Sequence, residues 1–134
     1  MAAIISRYES ATYALLRFVA GFLLLWHGTQ KLFGFPPSEH AGGPAHVTYV
    51  AGPIELLGGA LVMIGLFTQP AAFLASGLMA FAYWMAHGMN AVLPIQNKGE
   101  LAAIYCFVFL FISARGSGIW SVDAARRAPP AAAL

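Results

Sequence analysis

The side chains that could do chemistry in this 134-residue chain are few and unevenly placed. His27 and Lys31 are one helical turn apart, so in a helix they share a face. Glu55 stands alone among apolar neighbours. Tyr83, His87 and Asn90 come late in one apolar run, and Asn97, Lys98 and Glu100 open the next. Imidazole titrates near neutral pH and suits a proton relay. Carboxylates exchange protons, and Lys, His, Tyr and Asn donate hydrogen bonds. A set of this kind could hold the carbonyls of a quinone-type headgroup and handle its protons. His27, Lys31, Glu55, Tyr83, His87, Asn97 and Glu100 are the candidate pocket residues.

Each also has a plainer reading. An ionisable group at membrane depth is costly and usually pairs or lines a cavity. Glu55 could pair with Lys31 or His27 only to staple two helices, or Lys31 could snorkel away from it. His27 and His87 could be hydrogen-bonding residues at helix ends, or contacts for a headgroup. A shared haem or metal is disfavoured, because no helix carries a close His pair at ligand spacing. The single cysteine, Cys106, excludes a disulfide framework and any multi-cysteine metal site. Its apolar surroundings read as a packed thiol. Tyr83 fits a satisfied buried tyrosine as well as a cavity donor. Arg17 is either a snorkelling anchor or the partner of Asp123. His40 and His46 read as solvated loop residues that could fold over the cluster. A phosphate-cradling glycine loop, a nucleophile elbow and a cysteine pair are missing from the sequence, which argues against kinases, nucleotide-dependent pumps and thiol-disulfide enzymes.

These residues need elements to position them, and composition says which. Hydrophobic residues make up 60% of the chain and charged residues 9%, against about 25% charged in ordinary soluble domains. The stretch 56–97 holds no Asp, Glu, Lys or Arg. That is room for two spans of about 20 apolar residues each. The expected architecture is all-α, an integral membrane bundle of four transmembrane helices. An N-terminal lead (1–12) precedes a helical domain (13–127) and a flexible Pro/Ala tail (128–134). Helix one is expected over 13–33, stopped by Gly34 and two prolines. A long loop (38–46) follows. Helix two covers 48–66, with Pro53 in its first turns, where a missing amide is best tolerated. Gly52, Glu55, Gly59, Val62 and Leu66 share a face by the 3.6 period, and the small residues allow a neighbour to come close. A tight turn at 67–70 leads to helix three, ending near His87, with Ala72, Ser76, Ala80, Tyr83 and His87 in one stripe. Helix four covers 100–113. Antiparallel threading brings the polar candidates to one end of the bundle.

Charge sets orientation. The net charge of +2 is small and its seven cations are scattered, which argues against nucleic acid as a partner. With four spans, Arg7, Arg17, Arg115, Arg126 and Arg127 fall on one side, Lys31 and Lys98 on the other. The positive-inside rule then puts both termini in the cytoplasm and the polar cluster outward. The N-terminus lacks a basic cluster before its apolar run, so helix one is expected to be retained and not cleaved as a signal.

Motifs across the chain resemble one family. Arg17 with Gly21, then His27-Gly28 and Lys31, is similar to the first helix of the DoxX family of small membrane proteins. Glu55-Leu56-Leu57-Gly58-Gly59 and Gly65-Leu66-Phe67-Thr68 resemble its second helix and turn, and Ala71-Ala72 and Met79 continue the likeness. Asn97-Lys98-Gly99-Glu100 resembles its start of helix four, with Lys98 where glycine is common. Gly116, Gly118, Ser121 and Asp123 resemble its C-terminal signature. The family takes its name from the membrane subunit of a thiosulfate:quinone oxidoreductase, and other members are tied to redox stress or uncharacterised. The resemblance implies a multi-pass protein of a bacterial cytoplasmic (inner) membrane, embedded in a lipid bilayer and joined to a partner subunit or its own copies. A quinone is the cofactor it points to. It does not transfer thiosulfate chemistry. A non-catalytic scaffold subunit is the alternative expectation, and a small-solute permease ranks lower, because four short helices enclose little room.

Overall fold

The computed structural model describes residues 6–37, 44–45 and 47–127. All regular structure among them is helical. Helix α1 spans Glu9–Phe33. A π-helical turn, Val47–Ala51, runs straight into α2, Gly52–Ile64. Helix α3, Thr68–Ala82, continues as a second π-helical stretch, Tyr83–Gly88. A single turn, α4 (Pro94–Asn97), precedes α5 (Glu100–Arg115), and a short α6 (Val122–Arg127) follows.

The starts and stops have local causes. Gly34 closes α1 in the left-handed conformation, its amide bonded to the Gln30 carbonyl, the usual role of glycine after a helix. Pro53 cannot donate to the carbonyl one turn back, and its ring crowds that carbonyl. The wide turn 47–51 lies just before it, where a looser winding relieves the crowding. α1 begins at Glu9, inside the segment expected to be a lead. An acid suits a first helical turn, and Arg115 Nη2 lies 2.8 Å from Glu9 Oε1. α5 runs two residues beyond the expected Ser113 and stops at Gly116. The expected tail (128–134), His40 and His46 lie outside the described residues.

The four longer helices thread up and down. α1 packs along α2, and α3 along α5, with α2 beside α3. Glycine sets the first pairing. A Cβ on Gly21 would strike the Met63 amide nitrogen, and one on Gly59 would lie 2.6 Å from that of Leu25. At Gly28 the obstacle would be Leu56 backbone, and at Gly52 the Leu32 side chain. The two backbones thus meet along their length, which small residues alone permit. Leu24, Val62, Ala72, Ala75, Phe109 and Ile112 are fully buried between the helices.

The outside is apolar as well. On α1, Leu15, Phe18, Val19, Phe22, Leu23 and Trp26 are exposed, and on α5 so are Leu101, Ile104, Phe107, Leu110 and Phe111. Such surface is unfavourable in water at roughly 25 cal/mol per Å², and lipid tails remove that penalty. Two helices, Glu9–Phe33 and Val47–Ile64, are long and apolar enough to cross a membrane.

Candidate functional site

Most polar side chains fall at the two ends of the helices. At the end where α1 stops and α2 starts, Lys31 Nζ lies 2.5 Å from Glu55 Oε2. Glu55 is 4% exposed. It lies early in α2, three residues after Gly52. Gly28 and Gly52 bring the two helices close enough for Lys31 to reach it. The Lys31 side chain keeps 27% exposure, so the pair is open on one side. One turn back, half-buried His27 meets the Tyr105 ring edge-on, centroids 6.4 Å apart.

A second group forms around the turn from α3 to α5. His87 Nδ1–H donates to the Asn97 carbonyl at 3.0 Å, which fixes that tautomer. Buried Asn97 donates from Nδ2 to the Tyr83 hydroxyl and the Ala91 carbonyl, and its Oδ1 accepts the Gly99 amide at 2.7 Å. Asn97 is therefore the core of this turn. A Cβ at Gly99 would strike both Tyr83 and Asn97 Oδ1, 2.7 Å from each. Of the seven candidates, His27, Lys31 and Glu55 come together, and so do Tyr83, His87 and Asn97. No hydrogen bond or ion pair joins the two groups among the described residues. Glu100 stands apart, exposed on the first turn of α5.

The opposite end corrects one expectation. Arg17 neither snorkels nor touches Asp123. It is 1% exposed and donates to the carbonyls of Val62, Met63 and Trp120 at 2.7–2.8 Å. The first two are carbonyls of the last turn of α2, where a cation is favoured. Asp123 takes the amides of Phe67 and Thr68 and the Thr68 hydroxyl, each at 3.0 Å. The two charges thus grip either side of the α2–α3 turn, Arg17 the end of one helix and Asp123 the start of the next. Desolvation pushes the Asp123 carboxyl up, but the Thr68 and Phe67 amides, the Thr68 hydroxyl and nearby Arg127 together hold it below the ordinary value. The Asp123 amide closes the loop on the Gly65 carbonyl at 2.9 Å.

Two further residues complete this end. The Tyr13 hydroxyl donates to the Gly116 carbonyl, and the Arg115 guanidinium lies 4.5 Å over the Tyr13 ring. Sequence reasoning passed over Tyr13, although it lies one turn before Arg17 on the same buried stripe. Ser121 donates to the Gly118 carbonyl and accepts the Ala124 amide, starting α6. A depression of about 480 Å³ opens here, lined by Gln69, Arg115, Ser117, Arg127 and the glycine turn. A second, apolar one lies on the outer face between α1 and α5. Neither contains His27, Lys31 or Glu55.

Comparison with known proteins adds three findings. The DoxX family model matches residues 12–88. An uncharacterized protein of Haemophilus influenzae (strain Rd) is 38% identical over 125 residues, covering 89% of this chain and 93% of that protein. No solved structure matches.

Proposed function

The chain belongs to the DoxX family, a membrane protein by that kinship and by its apolar exterior, and from there we propose that it is a redox-associated subunit whose Lys31 end receives a quinone headgroup. The four longer helices all cross the bilayer in this reading. Both termini face the cytoplasm of a bacterial inner membrane, because five of the seven cations gather at the Arg17 end. Cysteine placed at Gln96 and at Ala125, with Cys106 replaced by Ser, should label from opposite sides. Labelling of both by a membrane-impermeant reagent from one side of sealed vesicles would sink this topology.

The carrying observation is the half-open ion pair with His27 one turn away. A headgroup carbonyl needs a donor, and Lys31 and His27 are donors at adjoining depth. Glu55 and His27 can carry protons. Reduction of a quinone to a quinol takes up two electrons and two protons, and the electrons come from a partner subunit or its cofactor. Tyr83, His87 and Asn97 support the neighbouring turn in this reading and do not touch the headgroup.

The test is quinone binding in nanodiscs by wild type, His27→Ala and Glu55→Gln, with folding checked by thermal unfolding. Saturable binding lost in both variants is expected. Equal, weak binding by all three would favour a scaffold subunit. That second reading draws on the way the polar groups satisfy one another, Glu55 with Lys31 and His87 with Asn97.

A further inference from the structure

The depression at the Arg17 end plays no part in the quinone reading. Its volume of about 480 Å³ falls in the range of small-ligand sites. Two guanidinium groups line it, with the Gln69 amide and the Ser117 hydroxyl, and no carboxylate does. Glu9 takes one nitrogen of Arg115 from the side, and a guanidinium carries five N–H donors. The Arg115 guanidinium carbon lies 4.5 Å over the Tyr13 ring, which supports it from one side. Arg127 comes from the other wall, on α6.

The location adds a second constraint. Gln69 is in the first turn of α3 and Arg115 ends α5, and the two helices are tied there by Gln69 to the Ser113 carbonyl and by Ser113 to the Gln69 carbonyl. One turn further in, Phe73 and Leu110 are exposed. The pocket therefore tops an apolar surface, cations above and hydrocarbon below. We infer that it binds a phosphate group, either the headgroup of an anionic phospholipid whose acyl chains lie along Phe73 and Leu110, or a free phosphate. Guanidinium groups match phosphate oxygens in geometry and charge, and basic pockets at helix ends take lipid headgroups in this way. The lipid arm requires the bilayer, and neither arm requires the quinone.

Native mass spectrometry of the full chain, released from detergent with phosphatidylglycerol or with phosphatidylcholine of the same acyl chains, tests it. The expected result is retention of phosphatidylglycerol over phosphatidylcholine, weakened about fivefold by each of Arg115→Gln and Arg127→Gln. Arg127→Gln is the safer variant, since Arg127 is exposed on α6 and Arg115 also supports Tyr13. Glu9→Gln leaves both guanidiniums in place and should bind as well as wild type. Displacement of the lipid by millimolar inorganic phosphate would assign the pocket to free phosphate, and retention would assign it to lipid. Equal retention of the two lipids with no phosphate binding, or wild-type binding by the folded double variant, overturns the inference.

Discussion

The two ends of the helices satisfy their buried charges differently. At the Arg17 end, beside the exposed Arg115–Glu9 pair, the two charges at the α2–α3 turn are held mainly by backbone: three carbonyls for Arg17, two amides and the Thr68 hydroxyl for Asp123. At the Lys31 end, charge meets charge, and the lysine stays partly open. A charge bonded to main chain fixes the path of the main chain, because its partners cannot swing away. A charge bonded to a flexible side chain fixes much less. The first end is built as a joint between helices, and the second retains polar groups that another molecule could engage.

Substitutions should separate the two ends. The largest effect is expected at Arg17. Arg17→Met leaves the carbonyls of Val62, Met63 and Trp120 without their donor, and should destabilise the protein by about 3–5 kcal/mol, read by SDS titration in mixed micelles. Arg17→Lys should recover less than half, since one ammonium cannot span three carbonyls. Full recovery by lysine would mean that charge alone matters there.

A smaller loss is expected at the other end. Glu55→Ala should cost about 1–2 kcal/mol, because the half-exposed Lys31 can turn toward the interface. Combining Glu55→Gln with Lys31→Met should restore part of that, with a coupling on the order of 1 kcal/mol. Strictly additive effects would show that the pair contributes nothing as a pair. A loss as large as that of Arg17→Met would erase the contrast between the ends.

The smallest effect concerns Asp123. Its carboxyl is held below the usual value of 3.8, so its contribution is fully present above about that pH. It is lost as pH falls through the lowered value of the folded state. Asp123→Asn should cost about 0.5–1 kcal/mol at neutral pH and flatten the acid limb of the stability profile. An acid limb unchanged in the variant would assign the pH dependence to another group.

The sequence disclosed the helices better than their joints. Gly34 marks the end of α1 because a glycine in the left-handed conformation is cheap, and Gly52 and Gly59 lie on a small-residue face that does meet its neighbour. Pro53 marks a first turn, but nothing in the apolar pattern announces the π-helical stretches before α2 and after α3. Those depend on how the backbone relieves crowding, which periodicity does not encode. Arg17 and Asp123 were visible as charges near one end. Opposite sign suggested a pair, whereas backbone at a tight turn offered better partners. At the other end, Tyr83, His87 and Asn97 were grouped with Glu55 by depth alone. Depth fixes the distance along a helix and not the face, and the turn at Asn97 claims all three.

The close fit of α1 against α2 has a mechanical consequence. Backbones that meet at Gly21, Gly28, Gly52 and Gly59 leave no slack for sliding, so the two helices move as a single body. The turn at residues 65–67 is clamped by Arg17 on one side and Asp123 on the other, so that body is pinned to α3 at this end. Any separation of α1–α2 from α3–α5 must then pivot about the pinned turn, as the arms of a tweezer do. At the tips of those arms, His27 meets Tyr105 edge-on, one turn from the Lys31–Glu55 pair. In the quinone reading proposed above, a headgroup enters by a small rotation there that leaves the fulcrum in place.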